Sequence, residues 1–514
     1  MSAVASKGVS SRRRMAAYAV AIFLSSAGLM ALEITAARLL APYIGVSLYS
    51  WTAIIGVVLG GISLGNWIGG IWVDRGADER SAGWILGIGG LACVAILLLL
   101  TLVAPALQGS ELGLMSLSFV YVAALFLLPA LLLGIVTPIL TTLALRLDAR
   151  TGRVIGMIDA LGALGSIVGT FLTGYVLIQA FGTRSIILGT AAMLALLALL
   201  LLWRSWRSIL SLSMMALIVI GLTAWRNGFA NHCDRETNYF CIRVVDLSQE
   251  VEEGQMRGMV LDHLMHGINH REYPTLLMSP YVHLMDELIS LQAAGNEGRP
   301  LRTFFSGGGA YTQPRALRMK YPDAEIVVAE LDPAVTEMAK RRLYYDGGQD
   351  RIIHSDGRQA LLDMPVRHFD VIVGDVFHDI AIPQHLVTRE YIDLVESRLT
   401  AQGMYLMNVV DAQPDPRLVK SMVKTLRTRF SNVQVWLQTW DETPARMTYV
   451  LIASNNPPFP PRLMSQRGFN RQWQDVSHLL ASTGTDYDRI PILTDDYAPV
   501  ESLLSTLLLT ELGR

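Results

Sequence analysis

Seven long apolar segments occupy the first 225 residues of this 514-residue chain. Each is close to the ~20 residues that an α-helix needs to cross a bilayer. The first is not a removable signal peptide, because Glu33 and Arg38 follow its apolar part without a cleavage site of small residues. The sequence therefore predicts a multi-pass α-helical membrane domain over 1–226, with about seven helices at 15–37, 51–73, 84–106, 115–145, 154–179, 184–202 and 208–225.

Glycines at four-residue spacing predict how two of these helices pack. Small residues at this spacing let helix backbones approach closely, so packing seams are expected, and a substrate path is the alternative. The glycines are Gly61, Gly65 and Gly69 on the second helix and Gly165 and Gly169 on the fifth. Three polar residues at or near membrane depth are either functional or close to helix ends, namely Glu33, Asn66 and Asp159.

Lys and Arg residues next to the apolar segments predict the orientation. Eleven precede the first segment or follow the second, fourth and sixth, whereas the opposite short loops hold only Arg184. We therefore expect a cell (inner) membrane protein with a cytoplasmic N-terminus. Seven crossings then favour an outside position for the C-terminal half. If 208–225, with its four Ser and Thr, lies along the interface instead, that half is cytoplasmic.

The remainder has the composition of a soluble domain. Segments 241–248 and 256–268 flank the turn-prone "EVEEGQ" and predict a β-hairpin, and 281–294 is apolar at helical intervals. We assign a β-hairpin subdomain with its linking helix to 227–295.

Strand and helix patterns alternate over 296–514. Apolar strands that alternate with helices predict a parallel, doubly wound sheet, here a Rossmann-like (methyltransferase-type) α/β domain. The predicted strands are 301–305, 325–332, 351–356, 369–376 and 403–410, with helices that include 333–343, 358–363 and 388–399. Strands 432–438 and 447–454 are expected to complete the sheet as an antiparallel pair.

Charge and cysteine content exclude several classes of protein. The net charge of −2 gives no sign of nucleic-acid binding. Three cysteines without zinc-ligand spacing predict no metal site. Cys233 and Cys241 form either a disulfide or two free thiols.

A glycine loop and four acidic strand ends form the candidate site. Ligands bind doubly wound sheets at the carboxyl ends of the strands. Glu330 follows Gly309 by 21 residues, the spacing at which an acid holds a ribose diol. The loop lacks the Gly-Lys-Ser/Thr of a P-loop, so a cationic adenosyl sulfonium is favoured over ATP or NAD. The residues at these strand ends are Gly307, Gly308, Gly309, Glu330, Asp332, Asp356, Gly357 and Asp375.

These residues resemble the spermidine synthase family of aminopropyltransferases. The whole chain resembles membrane proteins in which such a domain follows a half-major-facilitator-like helical domain. In the helical half the resemblance is carried by "SSAGLMALEITAARLLAPYIGVSLYSWTAIIGVVLGGISLGNWIGGIWVDR". In the soluble half it is carried by "ETNYFCIRV", "LDHLMHG", "SGGGAYTQPR", "AELDPAV", "HSDGRQAL", "DVIVGDVF" and "LTDDYAPVE".

The resemblance implies a role for each strand end. Glu330 would bind the ribose hydroxyls of an adenosyl donor, and Asp356 with Gly357 would hold its adenine. The glycine loop would pass under the methionine-derived part. Asp375 would position the attacking amine and help to deprotonate it. No cofactor is implied beyond S-adenosylmethionine or its decarboxylated form as co-substrate.

The acceptor side departs from the family pattern. The family places an Asp after the glycines, where this chain has Ala310, and a second acid on the fourth strand, where it has His378 followed by Asp379. A Gln and a Glu of the family correspond to His266 and His283. The four residues His266, His283, His378 and Asp379 are therefore candidates for a different acceptor site, and unrelated surface or loop positions are the alternative for the histidines.

Three classes of function follow. The favoured one is a polyamine aminopropyltransferase-like transferase that moves the three-carbon arm of the donor to an amine and releases methylthioadenosine. A lyase variant would cleave the same donor without an acceptor. The alternatives that are not enzymes are a transporter and a catalytically silent adenosyl sensor. The expected partners are the adenosyl donor, an amine acceptor and the lipid bilayer, with no nucleic acid, and the oligomeric state is left open.

Overall fold

The computed structural model describes residues 2–107, 110, 112–148, 150–295, 298–377, 381–440 and 443–509. The chain divides into two compact units, Met1–Phe240 and Cys241–Arg514. The finer domain boundaries at 226 and 295 stay predictions. Cys233 and Cys241 are disulfide-bonded, and Cys93 is a free, buried thiol.

Long apolar helices build the first unit. In the described part of the chain, six helical segments are long and apolar enough to cross a membrane. The fifth of these, Thr151–Leu202, has 52 residues and covers the predicted segments 154–179 and 184–202. The elements are α1 (Ser2–Ile44), α2 (Leu48–Asp74), α3 (Glu79–Leu107), α4 (Leu114–Leu145), α5 (Thr151–Leu172), a π-helix (Thr173–Leu177), α6 (Ile178–Leu202), α7 (Trp206–Trp225) and the short strand β1 (Arg235–Glu236).

A backbone break at Gly182 divides the 52-residue segment into two parts. Gly182 has φ 74° and ψ 167°, far from helical values and in a region that glycine tolerates best. The carboxylate of Glu236 accepts the backbone N–H of Thr183 at 2.7 Å, directly after the break. The second part of the segment therefore has a capped start of its own.

Contacts with α1 give the directions of the two parts. Gly165 and Gly169 lie against the backbone of Phe23 and Ala27, so α5 runs parallel to α1. Thr190 lies against Gly28, whereas Ile186 packs beside Ala31, so α6 runs antiparallel to α1. The two parts therefore form a helical hairpin, and both contact the same stretch of α1.

The predicted glycine seams are confirmed. Gly61, Gly65 and Gly69 lie against α4 near Ala130, Leu131 and Ile135. A Cβ at Gly65 would overlap the carbonyl oxygen of Leu131, so only glycine permits this approach. Among the polar candidates, Asn66 and Asp159 lie on the exposed surface of the unit and Glu33 is half-buried.

Three antiparallel strands begin the second unit. They are β2 (Cys241–Asp246), β3 (Met256–Leu261) and β4 (Leu264–His270), followed by α8 (Pro280–Ala294). The predicted β-hairpin is confirmed, because β2 pairs with β3 in antiparallel fashion. Its second segment, 256–268, is not one strand, because Asp262 has φ 55° and turns the chain back between β3 and β4. The segment is thus a second hairpin.

A mixed sheet of nine strands forms the core of the second unit. The remaining strands are β5 (Arg302–Ser306), β6 (Glu325–Ala329), β7 (Arg351–Ile353), β8 (Phe369–Gly374), β9 (Leu399–Gln413), β10 (Asn432–Leu437), β11 (Ala445–Ser454), β12 (Arg462–Met464) and β13 (Gln472–Asp475). The remaining helices are α9 (Thr312–Lys320), α10 (Pro333–Arg342), α11 (Gly357–Leu362), α12 (Arg389–Arg398), α13 (Arg417–Leu426), α14 (Val500–Leu503) and α15 (Ser505–Leu509).

The strand order is β12-β13-β10-β11-β9-β8-β5-β6-β7. Strands β7, β6, β5, β8 and β9 are parallel, which confirms the predicted fold class. The predicted antiparallel pair, β10 and β11, is also confirmed, and β11 pairs with β9. After β5 the chain adds β6 and β7 on one side and then β8 and β9 on the other, so the order reverses between β5 and β8.

Candidate functional site

The glycine loop and Asp375 meet where the strand order reverses. The loop follows β5, Asp375 follows β8, and these two strands are hydrogen-bonded neighbours. Gly307 has φ 91°, and a Cβ there would overlap the carbonyl oxygen of Asp375. Glycine is therefore required at this position by the close approach of the two strand ends. This is the crevice in which doubly wound sheets bind ligands.

The carboxylate of Glu330 holds the glycine loop in place. Glu330 follows β6 directly and is 6% exposed. Gly308 and Gly309 donate their N–H groups to one carboxylate oxygen at 2.9 and 3.3 Å, and the N–H of Asp332 is donated to the other at 2.9 Å. Burial raises the pKa of Glu330 above its usual value, whereas these hydrogen bonds lower it. The carboxylate has about four acceptor positions, so one is left for a ligand hydroxyl.

Asp375 lies between Tyr281 at the start of α8 and Asn408 on β9. Burial raises the pKa of Asp375 to about 6, and hydrogen bonds from Asn408 and Tyr281 oppose that rise. Burial and the neighbouring Asp375 raise the pKa of Tyr281 well above its ordinary value, so its hydroxyl stays a donor. A carboxylate held by two donors, with a pKa close to neutrality, is suited to accept a proton.

Asp332 and Asp356 are helix caps. Asp332 accepts the N–H of Ala334 at the start of α10. Asp356 accepts the N–H groups of Arg358 and Gln359 at the start of α11, so it lies beyond the end of β7, and its predicted place within a strand was wrong. Its second oxygen lies 2.7 Å from His385 Nε2.

Gly357 and His266 both lie next to the segment formed by the end of β5 and the glycine loop. A Cβ at Gly357 would contact the side chain of Ser306, the last residue of β5. His266, on β4, places its carbonyl oxygen against Gly309. Burial lowers the pKa of His266 to about 4, so this side chain is neutral at pH 7. The structure thus brings His266 to the glycine loop.

His283 lies elsewhere, buried between α8 and β13. Its Nδ1 is 3.3 Å from the guanidinium of Arg471, its Nε2 is 3.5 Å from Glu287, and its ring packs on Trp473. These contacts indicate a packing role. The two remaining candidates, His378 and Asp379, lie outside the described residues.

A small pocket of about 220 Å³ lies beside Tyr281. Its walls come from α8, β10, β11 and β13 and include Leu284, Trp436 and Met447. Of the described residues that line it, only Arg446 carries a charge. Within the described chain no group of three His, Cys, Asp or Glu side chains is placed to hold a metal ion.

Tyr281 and Asn408 were not predicted as site residues from the sequence. Tyr281 follows Pro280 at the first turn of α8, and Asn408 is the one polar residue in the apolar "GMYLMNVV". A polar residue in a strand that is buried on both faces is a signal that could have identified Asn408.

The second unit is a Rossmann-like α/β domain of the methyltransferase type, with its candidate site at the topological switch point. Part of the chain is similar in sequence to polyamine aminopropyltransferases. It is 27% identical to the polyamine aminopropyltransferase of Vibrio vulnificus over 113 residues, 21% of this chain and 38% of that protein. It is 29% identical to the probable polyamine aminopropyl transferase of Bifidobacterium longum over 103 residues, 20% of this chain and 23% of that protein. The chain thus spans well under half the length of each relative, and no family model matches it.

Solved structures show weaker likeness. A probable spermidine synthase from Corynebacterium glutamicum matches with a TM-score of 0.45 at 19% identity, over 52% of this chain and 99% of that one. Human methyltransferase-like protein 13, in complex with SAH, matches with a TM-score of 0.30 at 19% identity, over 44% of this chain and 100% of that one. Similarity at this level carries no information on substrates.

Proposed function

We propose that this protein is a membrane-bound enzyme that cleaves the sulfonium of S-adenosylmethionine or its decarboxylated form. The three-carbon arm is transferred to an amine, and methylthioadenosine is released. The observation that carries this proposal is Asp375, a carboxylate with a pKa near 6 beside the glycine loop. The sequence relation to polyamine aminopropyltransferases supports the same chemistry.

The reaction is an in-line displacement. The amine nitrogen attacks the methylene carbon next to sulfur, the C–S bond breaks, and its electron pair leaves with methylthioadenosine. Asp375 hydrogen-bonds the amine and accepts its proton. The sulfonium is already a good leaving group, so the enzyme mainly aligns the nucleophile and removes this proton.

The donor side fits an adenosyl ligand. Glu330, through its remaining acceptor position, would hold a ribose hydroxyl, and Asp356 with Gly357 would hold the adenine. The glycine loop would lie under the methionine-derived arm. The negative charge of the two strand-end acids Glu330 and Asp375 favours a cation at this edge of the sheet.

Cleavage without an acceptor is a second candidate. The position after the glycines is Ala310, which offers no carboxylate for a second ammonium group. The pocket beside Tyr281 is lined mainly by apolar side chains and Arg446, which does not favour a polyamine. In this lyase variant Asp375 would remove a proton from the three-carbon arm of the donor. The C–H electron pair would form a double bond within the arm, and the C–S electron pair would leave with methylthioadenosine.

One assay separates these functions. The purified full chain is incubated with S-adenosylmethionine or decarboxylated S-adenosylmethionine, each with and without putrescine, and methylthioadenosine is quantified by chromatography. Product that requires putrescine supports the transferase, and product without it supports the lyase. Donor binding without product indicates a sensor, and absence of both binding and product favours a carrier; either result contradicts the proposal.

The rate is expected to depend on the ionisation of Asp375. Asp375 acts as carboxylate, so kcat/KM should fall about tenfold per pH unit below about pH 6. Tyr281→Phe removes a hydrogen bond that lowers this pKa, so the acidic limb should move to higher pH. Tyr273→Phe, an exposed position, is the matched control. If the pH profile of kcat/KM is the same in Tyr281→Phe, Tyr281 does not lower the pKa of Asp375.

We place the second unit on the outer side of the cell membrane. The hairpin at Gly182 supports two crossings within Thr151–Leu202, because its parts run parallel and antiparallel to α1. Seven crossings from a cytoplasmic N-terminus end outside. The disulfide-bonded Cys233 and Cys241 also suit an oxidising compartment. Adenosyl donors are made in the cytoplasm, so an outside domain requires that the donor be delivered.

A reporter fused after Arg514 tests this orientation. We expect a reporter that is active only outside the cytoplasm to work there, and a cytoplasmic reporter at the same junction to be silent. The converse result would place the second unit in the cytoplasm and make Trp206–Trp225 an interfacial helix.

A further inference from the structure

The membrane half contains a cavity of about 490 Å³ between α1, α5 and α6. This volume is within the ~300–1,000 Å³ of small-molecule sites. Its walls are almost wholly apolar and include Leu24, Ala27, Leu177 and Met193. Because Phe181 and Ile186 are among its lining residues, the cavity extends to the hairpin end at Gly182.

The cavity opens sideways, toward the space that lipid occupies. Three of its lining residues, Val168, Leu172 and Phe181, are 38%, 45% and 63% exposed on the outer surface of the helical unit. An apolar molecule in the bilayer can therefore enter without passing through water.

One polar group in the cavity lacks a partner. Thr173 is 0% exposed, lines the cavity, and its hydroxyl makes no hydrogen bond. In a helix such a hydroxyl can bond the carbonyl four residues earlier, but Thr173 begins the π-helix, where the backbone pattern changes. An unpaired buried hydroxyl is costly, so an acceptor on a bound molecule would stabilise this region. π-Helical turns are frequent at functional sites.

We propose that this cavity binds one acyl chain of a membrane lipid, whose ester oxygen accepts the hydroxyl hydrogen of Thr173. The apolar walls suit the chain, the side opening suits entry from the bilayer, and Thr173 supplies a buried, unpaired donor that an ester can use. This site is independent of the adenosyl chemistry of the second unit.

A cavity-filling variant tests the proposal. Gly189 lines the cavity, and a Cβ there meets no atom within 4 Å, so Gly189→Leu should fill the opening without a backbone clash. The full chain is reconstituted in vesicles of phosphatidylethanolamine and phosphatidylglycerol doped with a phosphatidylethanolamine that carries a diazirine on one acyl chain. After irradiation, labelled peptides are mapped by mass spectrometry. Gly221→Leu, at an equally open glycine of α7, is the control.

We expect labelling of the cavity peptides to exceed that of α7 and to fall at least fivefold in Gly189→Leu but not in Gly221→Leu. Equal labelling of α7 and the cavity, or labelling that Gly189→Leu leaves unchanged, would overturn the proposal. If Gly189→Leu does not elute as a single species, Thr173→Val decides: labelling of the cavity should fall about fivefold for one lost hydrogen bond, and unchanged labelling contradicts the site.

Discussion

Asp375→Asn is expected to lower the rate of methylthioadenosine formation by about 10²–10⁴-fold, the usual contribution of a positioned general base. Asparagine keeps the shape of the side chain but cannot accept the proton of the amine. Donor affinity should change little, because the proposed role of Asp375 concerns the reacting amine. Single-turnover kinetics give the rate of product formation. Calorimetry with methylthioadenosine gives the affinity for the adenosyl part that donor and product share.

The folded state should tolerate this substitution. Burial raises the pKa of Asp375, so the ionised carboxylate destabilises the native protein at neutral pH, and the neutral amide removes that cost. Asp370→Asn is a matched control on β8: Asp370 is buried, but it lies at the opposite end of the strand, paired with Arg302. Normal turnover in Asp375→Asn would show that Asp379 or a histidine is the base, or that none is needed.

Glu330→Gln should weaken binding of an adenosyl ligand by about tenfold to a hundredfold, since a hydrogen bond to a charged group contributes about 1.5–3 kcal/mol. The structure adds a second effect. All three protein groups at the carboxylate are N–H donors, so the amide nitrogen of glutamine must face one of them. Glu330→Gln should therefore make the glycine loop more mobile in addition to lowering the affinity for the adenosyl ligand.

Calorimetry with methylthioadenosine measures the affinity, and hydrogen exchange at Gly308 and Gly309 measures the loop. Glu325→Gln is the control: Glu325 lies at the other end of β6, where it pairs with His368 at the surface. Unchanged affinity in a folded Glu330→Gln variant would remove Glu330 from the site.

The parallel sheet could be predicted because its strands are apolar on both faces. Phe304, Val327 and Ile372 are fully buried, and such strands appear in sequence as continuous apolar runs between helical patterns. The same patterns predicted that the glycine loop and Asp375 lie at the same edge of the sheet, since parallel strands all end at that edge.

Features set by distant contacts could not be predicted. Strands β12 and β13 are three and four residues long, and their pairing depends on β10, far away in the sequence. Tyr281 reaches Asp375 only because α8 packs at the edge of the crevice. The turn at Asp262 depends on one residue with positive φ, which the composition of "LDHLM" does not reveal.

In the helical half, length and apolarity predicted the segments but not the break at Gly182. Glycine occurs throughout these helices, so a single one does not indicate a hairpin. Here the break is stabilised by Glu236, 54 residues later, through the N–H of Thr183 at 2.7 Å.

The contact between Glu330 and the glycine loop also affects the thermodynamics of ligand capture. A flexible loop that closes on a ligand loses conformational entropy at the moment of binding, and this loss lowers the affinity. In this chain the carboxylate of Glu330 already holds the glycine loop. The conformational entropy of the loop is therefore lost when the protein folds and not when a ligand binds. A ligand that enters the crevice meets a preorganised backbone, and its residence time depends on the contacts it makes rather than on loop ordering.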